Sequence, residues 1–355
     1  MPSINQIDVI VPNFKRRLSG VTATVVRLVP LQAQSIRIAA TAPALPADIP
    51  QVPLRALLTM SRRGPSGWRV WHARRNLEML AGLALSRLLG KRLKFVFTSA
   101  SQRRHSWLTR ALIRRMDAVV STSDKTARYL QRPSQVIHHG IDLVDFCPAD
   151  DRAALRARLG LPRGGPGGGP LIGCYGRIRA QKGTDLFVDA AIALCRAFPD
   201  LCAVVTGRAL PKDAAFLAGL RATVAAAGLT GRILFRDEVP VWEMPDWYRV
   251  LDVYVAPQRW EGFGLTPLEA MACGVPVVAA DVGAFGDLVA EGQTGFVVPA
   301  GAANLLEQAT AALLSDPARL AAFRRAARAH VEQNFDIRQE AAALIALYRR
   351  LLAGN

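Results

Sequence analysis

Two loops in the second half of the chain gather cations, glycines and carboxylates at short spacing. The first is Gly176-Arg-Ile-Arg-Ala-Gln-Lys-Gly183, which follows an apolar run and precedes a helix start at Thr184 or Asp185. It delivers a guanidinium, Arg177, and an ammonium, Lys182, beside a helix N-terminus. Such a set can clamp phosphates without a metal. The competing reading is an ordinary solvated basic loop. The second is Glu261-Gly-Phe-Gly-Leu-Thr-Pro-Leu-Glu269. Thr266 as N-cap, Pro267 at the first helical position and Glu269 three residues after the cap form a capping box. That box leaves Glu261, Gly262 and Gly264 without a purpose. Glycines let backbone amides approach a ligand closely, and a carboxylate accepts hydrogen bonds from sugar hydroxyls.

These loops need a scaffold. The first half reads as a strand at Ile7–Val11, a loop from Pro12 to Ser19 and a helix from Gly20 to about Leu31. Strands at Lys94–Thr98, Asp117–Ser121 and Gln135–Ile137 follow, with a helix from Trp107 to Met116. The second half alternates Pro170–Tyr175, Asp185–Ala197, Leu201–Thr206 and Asp213–Ala227, then strands at Ile233–Phe235, Val253–Val255, Val275–Ala279 and Gly295–Val298. Strand–helix alternation predicts an α/β chain of two doubly wound, Rossmann-like domains. The glycine- and proline-rich stretch 164–170 reads as a linker between domains 1–163 and 171–355, with the last helix free to pack back on the first domain. Ligands of such sheets bind beyond the strands' carboxyl ends, so the site is expected in a cleft between the domains.

The 355 residues are 51% hydrophobic, which excludes a disordered chain. No window of about 18 residues is continuously apolar, and the N-terminus reads as a strand rather than an export signal. Five cysteines without a CxxC pair suggest reduced thiols and a cytoplasmic protein. The formal charge of +17 lies wholly in residues 1–160, with 26 Lys and Arg against 9 Asp and Glu; the remainder holds 19 against 19. So one-sided a charge points to an anionic partner: nucleic acid, lipid headgroups or a phosphorylated substrate.

The two loops, followed by Ala-Met-Ala-Cys-Gly-Val-Pro-Val277 and joined by Val204-Val-Thr-Gly207 and Gly292-Gln-Thr-Gly-Phe296, resemble glycosyltransferase family 4. The resemblance spans most of residues 170–300. It implies a GT-B fold and a retaining transfer from a nucleotide sugar. It further implies that Arg177 and Lys182 hold the diphosphate. Glu261 would address the donor sugar with the amides around Phe263, Gly264 and Leu265, and Glu269 would take the ribose hydroxyls. Gly20 stands where the family has a glycine-rich loop near the donor phosphate. His105 is placed like the acceptor-side histidine. His138-His139 replace the family's usual Pro-Asn. The stretch Pro12–Thr22 with Phe97-Thr-Ser-Ala100 is most similar to bacterial lipopolysaccharide core mannosyltransferases. Mannose from GDP-mannose and an anionic lipid-linked saccharide acceptor are the implied substrates. A UDP-sugar donor with another acceptor is the alternative, and nucleic-acid binding a more distant one.

No Asp-x-Asp follows an apolar strand, and the five histidines lack metal-ligand spacing. Metal-independent chemistry without a cofactor is therefore expected, with cations stabilising the leaving diphosphate. No second carboxylate is evident for a double displacement, which favours front-face attack. Finally, Ser66–Asn76 reads as a helix presenting Trp68 and Trp71 on one face beside Arg69, Arg74 and Arg75. That face is expected to dock on the cytoplasmic face of the inner membrane.

Overall fold

The computed structural model describes residues 3–15, 20–43, 45–162 and 168–354. The chain forms two units, residues 1–140 with 337–355, and residues 141–336. Each is built on a six-stranded parallel sheet.

The first sheet comprises β1 (Val9–Pro12), β2 (Ile38–Thr41), β3 (Arg69–Ala73), β4 (Leu93–Ser99), β5 (Ala118–Ser121) and β6 (Gln135–Val136), in the order β2-β1-β3-β4-β5-β6. Apolar clusters cover both faces. Ile10, Trp71, Phe95 and Phe97 pack on one, and Val9, Val11, Val70 and Val96 on the other. Burial on both faces explains why β1, β5 and the middle of β4 read as continuous apolar runs rather than alternating ones. The final helix, Ile337–Leu352, belongs to this unit: Ala341, Leu344, Tyr348 and Leu351 join the second cluster. Its Glu340 receives the Gly140 amide (2.8 Å) and contacts His139 Nδ1 (2.7 Å), which fixes the helix to the segment following β6.

The second sheet comprises β7 (Leu171–Tyr175), β8 (Cys202–Thr206), β9 (Ile233–Arg236), β10 (Val253–Ala256), β11 (Val277–Ala280) and β12 (Gly295–Val298). Its order, β12-β11-β10-β7-β8-β9, is that of a dinucleotide-binding sheet, reversing direction between β7 and β10.

Two expectations need correction. The units do not divide at the glycine-rich stretch. Residues 141–162 pack on the second sheet's unit, because Arg152 donates to the carbonyls of Arg249, Val250 and Leu251 and to Asp252 (2.8–3.2 Å). Arg156 likewise ties Pro162 to Gly169 through their carbonyls (2.7 Å each). The glycine-rich stretch falls inside the range of the second unit, and its residues 163–167 lie outside the described residues. The second correction concerns Ser66–Asn76, whose centre is strand β3 and of which only Asn76 is helical. Trp71 is fully buried and donates its indole N–H to the Glu78 carbonyl (2.8 Å). Arg69 is buried too, satisfied by the Ile7 and Ser61 carbonyls and the Ser61 hydroxyl. Trp68 is half-buried under the cations of Arg92 and Lys94. Two tryptophans three apart suit a helix face, but in a two-residue repeat they point to opposite sides of the sheet.

Candidate active site

The loops that carry the cations and carboxylates leave the carboxyl ends of β7 and β10, the two strands at the switch point of the second sheet. Three features join them. Gly183 sits at φ +68°, and a Cβ there would fall 2.0 Å from the Pro257 carbonyl oxygen, so only glycine permits the approach. Arg259 grips Asp185 with both guanidinium nitrogens (2.7 Å each) and also donates to the Ala180 carbonyl (2.6 Å). Lys182 forms an ion pair with Glu261 across the two loops.

Glu261 is held at both oxygens: Oε2 by Lys182, Oε1 by the Gly262 amide (3.0 Å). Its side chain is 19% exposed and that of Lys182 23%, so the pair is accessible at one edge only. Gly264, at φ +86°, packs against Phe285 and the Glu261 stem; a Cβ would lie 2.3 Å from the Phe285 ring. Phe263 is buried, and its carbonyl accepts from Ala284 N–H (3.1 Å). The loop is thereby fixed from below. Among the described residues, the amides of Gly264 and Leu265 donate to no carbonyl or side chain. Arg177 is exposed, and among the described residues its guanidinium has no hydrogen bond or ion pair. The cradle thus offers a fixed carboxylate–ammonium pair, an uncommitted guanidinium and two uncommitted amides at one switch point. An anion flanked by hydroxyl groups is the ligand such donors and acceptors suit.

Glu269 lies in the helix Thr266–Ala272, and its Oε2 accepts from the Tyr248 hydroxyl (2.8 Å). Burial above all, and then the neighbouring Glu269 charge, push the Tyr248 phenol well above its ordinary range, so it stays a donor. The capping box does not form. Leu265 occupies the N-cap position with no side-chain cap, and Thr266 and Pro267 are the first helical residues.

Gly20 and His105 belong to the first unit. Gly20 opens the helix Gly20–Ala33, while the preceding Ser19 lies outside the described residues. His105, half-buried in the loop after β4, has Nε2 3.3 Å from Ser99 Oγ. Burial first, then the Arg103 charge, lowers its pKa and favours the neutral ring. Arg259, Asp185 and Tyr248 escaped sequence reasoning. Asp185 reads as a helix-start acid and Tyr248 as core, and only the fold brings them to the site.

Comparison with known proteins identifies the family. The family model for glycosyl transferases group 1 matches residues 162–330. The chain is 51% identical to the lipopolysaccharide core biosynthesis mannosyltransferase LpsB of Rhizobium meliloti, over 99% of this chain and 100% of that protein. It is 49% identical to the lipopolysaccharide core biosynthesis mannosyltransferase LpcC of Rhizobium leguminosarum bv. viciae, over 100% and 99%. The Anabaena protein HepE, solved in complex with UDP, superposes with a TM-score of 0.81 at 20% identity, over 97% of this chain and 100% of that one. The two parallel sheets are those of the GT-B fold, and the chain belongs to the group 1 glycosyltransferases.

Proposed function

We propose that this enzyme transfers mannose from GDP-mannose, with retention, to an anionic lipid-linked saccharide of the lipopolysaccharide core. The observation that carries the reading is identity near one half, end to end, with two proteins named as core mannosyltransferases. In this reading Arg177 and Lys182 take the diphosphate, and the Gly264 and Leu265 amides and Glu261 address the phosphate and sugar. Glu269, oriented by Tyr248, accepts from the ribose hydroxyls. As the glycosidic bond breaks, charge grows on the leaving phosphate, where preorganised cations lower the barrier without a metal or cofactor. Lys182 exchanges the Glu261 carboxylate for the diphosphate when donor binds. His105, neutral and anchored to Ser99, orients a hydroxyl of sugar or acceptor.

The acceptor's membrane is met by the first unit. That unit carries 26 Lys and Arg against 6 Asp and Glu, net +20; the second carries 19 against 22, net −3. Among the described residues no helix is long and apolar enough to cross a membrane. The helix Asn76–Leu89 instead exposes a stripe of Leu77, Leu80 and Leu88, beside Trp107 and Leu108 of the neighbouring helix Trp107–Ile113. Exposed Arg87 and Arg110 lie on the same two helices, Arg104 in the loop leading into the second and Arg114 at its C-terminal cap. An apolar stripe rimmed by arginine suits peripheral docking on an anionic cytoplasmic leaflet. This surface replaces the buried Trp71 and Arg69 in that role.

The donor is tested by the melting temperature of the protein with GDP, UDP and ADP, since a ligand of the native state stabilises it in proportion to its affinity. GDP should give the largest shift; a larger shift with UDP would overturn the choice of base.

A further inference from the structure

The first sheet has a switch point of its own, between β1 and β3, and it holds unspent hydrogen-bond donors. Asn13 directly follows β1 and Arg74 directly follows β3. The register Val9↔Val70 and Ile10↔Trp71, continued along both strands, brings Asn13 beside Arg74. Both follow the parity of Val9, Val11 and Val70, whose side chains face the helices Gly20–Ala33 and Ile337–Leu352. Asn13 has no exposed surface; its Oδ1 accepts from Thr22 Oγ1 (3.2 Å) and Arg75 (2.7 Å). Its Nδ2 is buried without an acceptor. Arg74 Nη1 is likewise sealed from solvent without an acceptor, and among the described residues the guanidinium has no carboxylate partner. The nearest acid, Glu78, is already taken by Arg75 (2.9 Å) and by the Arg74 main-chain amide (2.7 Å).

A guanidinium nitrogen and an amide nitrogen sealed from solvent without acceptors are costly, and the strand register sets the two residues side by side. Arg69, five residues earlier at the start of the same strand and on the opposite side, donates from each of its three nitrogens, so the vacancy is particular to this edge. An oxyanion supplies what both donors lack, because two oxygens of a carboxylate or phosphate ester meet a guanidinium and an amide together. We propose that Asn13 and Arg74 bind an oxyanion of the acceptor, a carboxylate or a phosphate ester. The proposal rests on the glycosyltransferase reading for the word acceptor, and on the orphaned donors for the anion.

The test uses the full chain and two probes, inorganic phosphate and glucuronate, with chloride at matched ionic strength as reference. One of the two should raise the melting temperature of the wild type at millimolar concentration, and which one does so identifies the acceptor's group. Arg74→Gln should weaken that response at least tenfold. Asn13→Asp provides an internal carboxylate: it should raise the melting temperature on its own and abolish the response to the probe. This second variant decides the matter where Arg74→Gln fails to fold. GDP affinity should stay unchanged in both variants. No response to either anion beyond chloride overturns the site, as does an undiminished response in Asn13→Asp. A loss of GDP affinity parallel to the loss of anion response assigns the site to the donor and overturns the acceptor. Failure of the wild type to bind GDP would strike the donor reading alone.

Discussion

The ion pair between Lys182 and Glu261 makes a prediction whose sign differs for its two members. At hydrogen-bond contact and an effective dielectric near 20, two unit charges attract by roughly 5 kcal/mol. Desolvation of side chains that are 23% and 19% exposed cancels most of that, leaving a net coupling of about 1–2 kcal/mol. Donor binding must break this pair if Lys182 is to meet the diphosphate. Glu261→Gln retains an acceptor for the Gly262 amide yet releases the ammonium. GDP should therefore bind about fivefold more tightly to Glu261→Gln, roughly the 1 kcal/mol no longer spent on separating the pair. Lys182→Met should bind GDP about ten- to a hundredfold more weakly, the loss of one charge-assisted phosphate contact. Both variants should lose turnover of the full donor, because Glu261 addresses the sugar that GDP lacks. Titration calorimetry with GDP, together with urea denaturation of both single variants and the double, measures affinity and coupling separately. If Glu261→Gln weakens GDP as much as Lys182→Met does, the exchange of partners at Lys182 is wrong. A stability coupling below about 0.3 kcal/mol would show the pair to be incidental.

Glu269→Gln keeps an oxygen for the Tyr248 hydroxyl, so stability should stay within about 0.5 kcal/mol while GDP affinity falls around tenfold; equal GDP affinity in calorimetry contradicts its ribose role. Gly183→Ala should unfold the second unit early, by about 3 kcal/mol or more in urea, since a Cβ meets the Pro257 carbonyl in a left-handed turn; a stable, active variant would refute the joining of the loops. His72, buried between Tyr348 and Thr98, has its pKa pushed well down by burial and then by Arg74. The unfolded chain thus binds the extra proton first, so its contribution is whole above about pH 6.5 and declines below it, at up to about 1.4 kcal/mol per pH unit; His72→Gln should flatten that part of the stability profile. Wild type should float with anionic vesicles at low salt and release near 0.5 M, and replacing Leu77, Leu80 and Trp107 by Ser should weaken binding without altering GDP affinity; flotation unchanged by those substitutions would exclude the stripe.

Much of the second unit is legible in the chain because β7, β8, β10 and β11 are buried throughout and read as short apolar runs. Leu171–Tyr175 and Val253–Ala256 could hardly be anything else, and the loops after them carry the chemistry. Less of the first unit is legible. Ile38–Thr41 is short and alanine-rich, and Arg69–Ala73 carries Arg, Trp and His, which suit an amphipathic helix until the sheet buries them. The expected cap at Thr266 failed for a related reason: a Thr-Pro pair fits both the N-cap and the first turn, and tertiary contacts of Gly264 and Phe285 set the register by one residue. Partners set by the fold, such as Tyr248 for Glu269 and Arg259 for Asp185, leave no local trace in sequence.

The central claim is tested most directly by supplying purified enzyme with radiolabelled GDP-mannose and with membranes whose lipopolysaccharide core is truncated before mannose. Label should enter the lipid-linked saccharide fraction, and Arg177→Gln should reduce that transfer at least tenfold. Transfer from UDP-glucose but not from GDP-mannose, or label remaining wholly in the soluble fraction, would contradict the assignment.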